Sequence, residues 1–169
     1  MVDAELEQLA SEVGQTLRCA ECRLVTAESC TGGWVGEAVT AIAGSSNWFD
    51  RGFITYSNAA KREALGVADA TLKQYGAVSE ETAREMAIGA LKFSRARIAV
   101  AITGIAGPGG GSADKPVGMV CFAWARDNVA LQSATHLLSG DRTAVRRQSV
   151  AIALRGILAL LAKQETAIA

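Results

Sequence analysis

The chain has 169 residues, half of them apolar and a fifth charged, which suits a globular protein with one substantial core. Lysine plus arginine balances aspartate plus glutamate at 17 each, so the global basic bias of many nucleic-acid binders is lacking. Aromatic residues make up 5% of the chain, too few for base-stacking platforms, and no nucleic-acid partner is expected.

Residues 1–8 carry Asp3, Glu5 and Glu7 and no apolar core, so no secretory signal is expected and the cytoplasm is the default. Leu6, Leu9, Ala10, Val13 and Leu17 recur at three- and four-residue steps and predict an amphipathic helix over about 3–19. Residues 23–27 read as a strand, 34–42 as a helix after a polar turn, and 49–56 as a second strand rich in aromatic and β-branched residues. A short helix over 59–65 carries Lys61. Another is expected over 69–75, with Asp69 as its N-cap and Gly76 just past its end. Ser79 caps a third, with Glu80 and Glu81 in its first turn and Ala83, Met86, Ala87, Ala90 and Leu91 as its core stripe.

Residues 97–103 are continuously apolar from Ile98 to Ile102, as in strands buried on both faces. Residues 104–118 form a long glycine-rich loop, and 117–125 with 129–136 read as a hairpin around Asp127-Asn128. Ser139-Gly140-Asp141-Arg142 opens a last helix reaching about residue 163. Its apolar part, 150–162, is interrupted by Arg155 and too short to cross a bilayer, so no membrane partner is expected. The pattern predicts an α/β fold, a single-domain three-layer α/β/α sandwich over 1–169 with a mixed sheet.

Four cysteines include Cys19-Ala20-Glu21-Cys22. A tetrahedral zinc site needs about four ligands and no second pair follows, so no metal is expected. The pair ends a helix rather than starting one, so the dipole does not favour thiolate, and incidental reduced thiols are the expected state.

A nucleophile needs a base within hydrogen-bond reach. The one histidine, His136, lies inside a predicted strand with no acid beside it, where a structural role is expected. Lys61 is the other candidate, five residues after Tyr56. If the first two strands are neighbours, their ends deliver Ser29, Tyr56 and Lys61 to one edge of the sheet, where ligands of open α/β folds commonly sit. Holding a lysine half neutral at pH 7 costs about 4.6 kcal/mol against its ordinary ~10.4, which burial can impose. A solvated surface lysine is the plain alternative.

At the turn, Glu28 orients a nucleophile, bonds substrate or pairs with an arginine, and Cys30 competes with Ser29 as nucleophile. The loop Gly104-Ile105-Ala106-Gly107-Pro108-Gly109-Gly110-Gly111-Ser112 has N–H groups to cradle a phosphate or carboxylate, yet it matches neither a Walker A loop nor a dinucleotide fingerprint. A flexible hairpin loop is the alternative. Arg142, with Arg146 and Arg147 one turn on, suits an anion or a solvated face.

Ala27-Glu28-Ser29-Cys30-Thr31-Gly32-Gly33, Tyr56-Ser57-Asn58 with Lys61, Gly104 to Pro108 through Lys115-Pro116-Val117-Gly118, and Gly140-Asp141-Arg142 resemble, in that order, the CinA C-terminal domain family over essentially the whole chain. The resemblance implies hydrolysis of nicotinamide mononucleotide to nicotinate mononucleotide and ammonia, with no metal or organic cofactor, in a homo-oligomer. It implies Ser29 as nucleophile, Lys61 as base and Tyr56 assisting, with proton transfer either direct or through Tyr56. Substrate contacts carry over to Glu28, Cys30, Thr31, Gly32, Gly33, Asn58, Thr103, Gly104, Gly107, Gly109 and Arg142, with the N–H groups of Thr31 to Gly33 facing the oxyanion. A nucleotide-binding module without turnover and a competence or DNA-damage accessory are the alternatives.

Overall fold

A computed structural model describes residues 3–165. Its elements are α1 (Ala4–Cys19), β1 (Leu24–Glu28), α2 (Trp34–Thr40), β2 (Phe49–Ile54), α3 (Asn58–Leu65), α4 (Asp69–Tyr75), α5 (Glu80–Lys92), β3 (Ile98–Gly104), β4 (Met119–Arg126), β5 (Ala130–Leu137) and α6 (Arg142–Glu165). The five strands form one mixed sheet in the order β2-β1-β3-β4-β5. β1 pairs in parallel with both β2 and β3, and the β3/β4 and β4/β5 pairs are antiparallel.

Strand periodicity sorts the core into two layers. Leu24, Ile98, Val100, Ile102, Phe122 and Trp124 face α1, α2 and α6. Val25, Ala27, Ala99, Ala101, Ala123 and Ala125 face α5 and the turn after α3. The small residues on that second face let α5 lie close to the sheet. The predicted three-layer α/β/α architecture is therefore the observed one.

Three details differ from the sequence pattern. Asp69 is not the cap of α4: Ala68 holds that position, and the Asp69 carboxylate bridges Arg62 and Lys73 at 2.7 and 2.6 Å. Leu91 is only half-buried at the margin of the core, whereas Gly89 on the same helix is fully covered. The 104–118 segment is not a loose hairpin loop. Ile105 N–H donates to Met119 O, Gly118 N–H to Ile105 O, and Ser112 N–H to Lys115 O, so its base and tip are both tied.

The topology places four strand ends together. The C-terminal ends of β1, β2, β3 and β5 point to one edge of the sheet, with β1 between β2 and β3, the position where ligands bind in open α/β sheets. Serine, tyrosine, glycine loop and the start of α6 all arrive there. α3 is seated against α5 through Gly89, where a Cβ would overlap the carbonyl oxygen of Leu65. Gly89→Ala is expected to push α3 off α5 and lower the urea-unfolding free energy by about 2 kcal/mol or more, as for other overpacked interiors.

Candidate active site

Glu28, the last residue of β1, and Ser29, which follows it, face opposite ways, because side chains alternate along an extended chain. The Glu28 side chain turns toward α2 and is 1% exposed. Its carboxylate accepts the N–H groups of Gly33 (3.1 Å), Val35 (3.0 Å) and Gly36 (2.9 Å). These are donors that a helix start leaves without intrahelical partners, so Glu28 caps α2 from the preceding strand. It neither pairs with an arginine nor opens toward a ligand.

Ser29 faces the other way, held by its own N–H donating to Ile102 O of β3 at 2.9 Å. Lys61 lies on α3, where Asn58, Lys61 and Leu65 share one helical face, and Lys61 and Leu65 are buried. Its side chain is buried at 2% residue exposure, with Nζ donating to Thr55 O (2.8 Å) and lying 2.9 Å from Ser29 Oγ. Burial strips water from the ammonium and holds Lys61 below the ordinary lysine value. Lysine and serine meet directly, so Tyr56 is not an intermediary between them.

Tyr56 is 61% exposed and its hydroxyl accepts from Arg142 Nη2 at 2.8 Å. Arg142 also donates from Nη1 to Gly107 O at 2.8 Å, tying the glycine-rich segment to the β2 end. Asp141 caps α6 by accepting Ala144 N–H at 2.8 Å, which leaves Arg142 free of the helix end. Of the basic cluster at the start of α6, only Arg142 faces this edge. Arg147 is spent on Asp3 and Glu5, and Arg146 donates to the carbonyls of Cys30 (3.1 Å) and Thr31 (2.9 Å).

A cavity of about 290 Å³ brings together Ser29, Cys30, Lys61, Tyr56, Asn58 and Arg142 with Thr103, Gly104, Gly107 and Gly109. Ala77, Val78, Ile105, Ala106 and Gly110 complete its wall, and no aspartate or glutamate lines it. Thr103 spends its hydroxyl on Ala77 O at 2.8 Å, and Gly104 is glycine because a Cβ would lie 2.8 Å from both Met119 O and Val120 Cα. Glu28, Thr31, Gly32 and Gly33 are not part of the lining. The oxyanion expectation for Thr31 to Gly33 narrows accordingly, since Gly32 N–H donates to Ser29 O (3.0 Å) and Gly33 N–H to Glu28. Among the described residues the N–H groups of Cys30 and Thr31 donate to no oxygen. Cys30 is buried in the α1–α2–α6 layer, and burial pushes its thiol up to about 11, far from thiolate at neutral pH. His136 stands edge-on to Phe122 at 5.5 Å on β5, away from the cavity, and Cys19 and Cys22 are free thiols at the end of α1.

Sequence patterning missed Thr55, whose contribution is a backbone carbonyl and leaves no residue-type signal. The burial of Lys61 had a signal in its shared face with Asn58 and Leu65. A larger cavity of about 710 Å³ lies between the end of α5 and the β4–β5 turn; of its lining residues, Ser94 gives its hydroxyl to Leu91 O at 3.4 Å and Lys92 sits over the Phe93 ring.

A family model described as the CinA C-terminal domain matches residues 6–161. Nicotinamide-nucleotide amidohydrolase PncC of Escherichia coli (strain K12) is 57% identical over 155 residues, covering 92% of this chain and 94% of that protein. PncC of Enterobacter agglomerans is 51% identical over 158 residues, covering 94% and 96%. The crystal structure of competence/damage inducible protein CihA from Agrobacterium tumefaciens superposes with a TM-score of 0.92 at 47% identity, covering 95% of this chain and 98% of that one. No described helix is long and apolar enough to cross a membrane.

The Glu28 cap gives a stability prediction separate from chemistry. Glu28→Gln replaces one charged acceptor oxygen by an NH2 facing backbone N–H groups, and is expected to cost about 2–3 kcal/mol in denaturant unfolding.

Proposed function

We propose, from the premise that the chain belongs to the CinA C-terminal domain family, that it is a nicotinamide-nucleotide amidohydrolase, converting nicotinamide mononucleotide and water to nicotinate mononucleotide and ammonia. The observation that carries this reading is a buried lysine 2.9 Å from a serine hydroxyl at the mouth of a cavity without acidic residues. The cavity volume lies at the small end of ligand pockets, about 300–1,000 Å³, which suits a mononucleotide better than a dinucleotide.

Ser29 Oγ attacks the carboxamide carbon while neutral Lys61 takes its proton directly. The oxygen of the tetrahedral intermediate is stabilised by the N–H group of Cys30, which lines the cavity beside Ser29, a donor of a kind worth about 2.7–4 kcal/mol. Lys61 returns the proton to the amide nitrogen, the C–N bond breaks and ammonia leaves. Water, deprotonated by the same amine, then opens the acyl-enzyme ester and frees nicotinate and Ser29.

Arg142 has five N–H donors, two of them spent on Gly107 and Tyr56, and offers the rest to the substrate phosphate. At Gly109 no atom lies within 4 Å of where a Cβ would stand, so the loop backbone there is open to the same group. Tyr56 and Asn58 flank the ribose side. The working form is a cytoplasmic homo-oligomer of a one-domain enzyme using no metal or organic cofactor.

Ammonia release from the mononucleotide by purified protein is the direct test. Ser29→Ala is expected to lose roughly 10⁴-fold or more in kcat, as for other catalytic serines, and wild-type turnover by that variant would remove Ser29 as nucleophile. Stoichiometric binding without ammonia release in the wild type would mark a nucleotide-binding module instead. The neutral amine is the active form of Lys61, so kcat/KM should rise with pH as it loses its proton, with a midpoint below the ordinary ~10.4. A profile flat between about pH 6 and pH 10 would exclude it as the base.

A further inference from the structure

The cavity of about 710 Å³ at the end of α5 lies at the opposite edge of the sheet from Ser29. β3 connects the two edges: Arg97 precedes its first residue and lines this cavity, whereas Thr103 and Gly104 at its far end line the reaction cavity. The 7 residues of β3, at about 3.3 Å each, separate the two by roughly 20 Å. The larger cavity is therefore no extension of the substrate site.

Lys92, Arg95, Arg97 and Arg126 line it against one carboxylate, Asp127. The whole chain balances 17 basic residues with 17 acidic ones, so four cations against one acid is a marked local excess, and like charges held close repel. Elsewhere cations are matched: Arg62 and Lys73 share Asp69, and Arg147 and Arg155 share Glu5. Among the described residues none of the four cavity cations enters an ion pair, and Arg126 Nε, although buried, donates to no acceptor. Buried nitrogens are normally bonded, and a guanidinium carries five donors to be met. The end of α5 does not consume them, because its carbonyls are already taken: Gly89 O by Phe93 N–H at 3.0 Å and Leu91 O by Ser94 N–H at 3.3 Å.

The arginines stand on a fixed frame. Asp127 N–H donates to Arg97 O at 2.9 Å, Val129 N–H to Arg126 O at 3.0 Å, and Arg95 N–H to Asp50 Oδ2 at 3.2 Å. Ile88, Val129 and Leu131 in the same lining are exposed apolar side chains, a surface that a ligand would cover. We propose that this cavity binds a nucleoside diphosphate group, free or as half of a dinucleotide, with the pyrophosphate among Arg95, Arg97 and Arg126 and the nucleoside against Ile88, Val129 and Leu131. Planar guanidinium forks suit phosphate oxygens, and three of them exceed what a single phosphate needs. The volume falls in the upper part of the range for small-molecule sites, about 300–1,000 Å³. A recess between a helix end and a turn admits a small molecule, whereas a nucleic-acid duplex needs cations spread along an open face.

The test is calorimetric titration of the full chain with ADP, nicotinamide adenine dinucleotide, AMP and inorganic pyrophosphate at about 0.15 M salt. One equivalent of ADP or of the dinucleotide should bind with a micromolar Kd, and the tighter of the two tells a free diphosphate from a dinucleotide. AMP and pyrophosphate should each bind roughly tenfold or more weakly, since each lacks half of the contacts. Arg126→Gln, and Arg97→Gln at an exposed position that leaves folding intact, should each weaken ADP roughly tenfold or more while ammonia release stays at the wild-type rate. Arg142→Gln, in the reaction cavity, should leave ADP affinity unchanged. No saturable binding of either nucleotide below about 1 mM, AMP or pyrophosphate binding as tightly as ADP, or binding lost in Arg142→Gln and kept in Arg126→Gln and Arg97→Gln would each overturn the proposal. A DNA duplex bound more tightly than ADP through the same arginines would overturn it in favour of a nucleic-acid face. Wild-type protein that releases no ammonia would overturn the amidohydrolase reading alone, because the titration is read without turnover.

Discussion

A lysine amine buried against a serine hydroxyl is costly for a fold to hold, because an ammonium loses its hydration on burial. Among the described residues Lys61 has two hydrogen-bonding neighbours, the Thr55 carbonyl and Ser29 Oγ. Both are neutral oxygen acceptors, and burial outweighs them, holding Lys61 below the ordinary lysine value. The surrounding structure exists in large part to impose that position. Leu65 anchors the same face of α3 in the core, Gly89 admits the Leu65 carbonyl against α5, and the β1–β2 ladder carries Thr55 alongside Glu28.

The second constraint is the turn after β1, fixed from three directions. Glu28 holds its far end by accepting three backbone N–H groups, Gly32 closes it on Ser29 O, and Arg146 clips the two carbonyls between. The alternation of a strand divides the labour: one side chain at the end of β1 caps a helix on one layer, and its neighbour meets a lysine on the other. A carboxylate and a serine side by side in sequence thus sit in different environments, with the protein backbone between them.

The same edge also gathers groups that cannot be local in sequence. Arg142 follows β5 and Gly107 follows β3, yet the arginine bonds both Gly107 O and the Tyr56 hydroxyl after β2. This bridge closes a cavity that, among the described residues, Arg142 lines as a permanent cation and no carboxylate lines, an electrostatic character suited to a phosphorylated substrate.

Much of this was legible in the sequence by itself. Apolar period marked the helices and the doubly buried β3, and cap residues such as Ser79 marked where helices begin, because both are local consequences of backbone geometry. The lack of an acid beside His136 left Lys61 as the candidate base, and the strand-ending motifs pointed to one edge of the sheet. Tertiary structure alone decided what depended on distant backbone atoms. The Thr55 carbonyl under Lys61, the saturation of Glu28 by α2, the burial of Cys30 and the recruitment of Arg146 all rest on main-chain groups or on layers packed from remote segments. Backbone donors and acceptors are the same at every residue, so only the folded chain determines which of them a side chain meets.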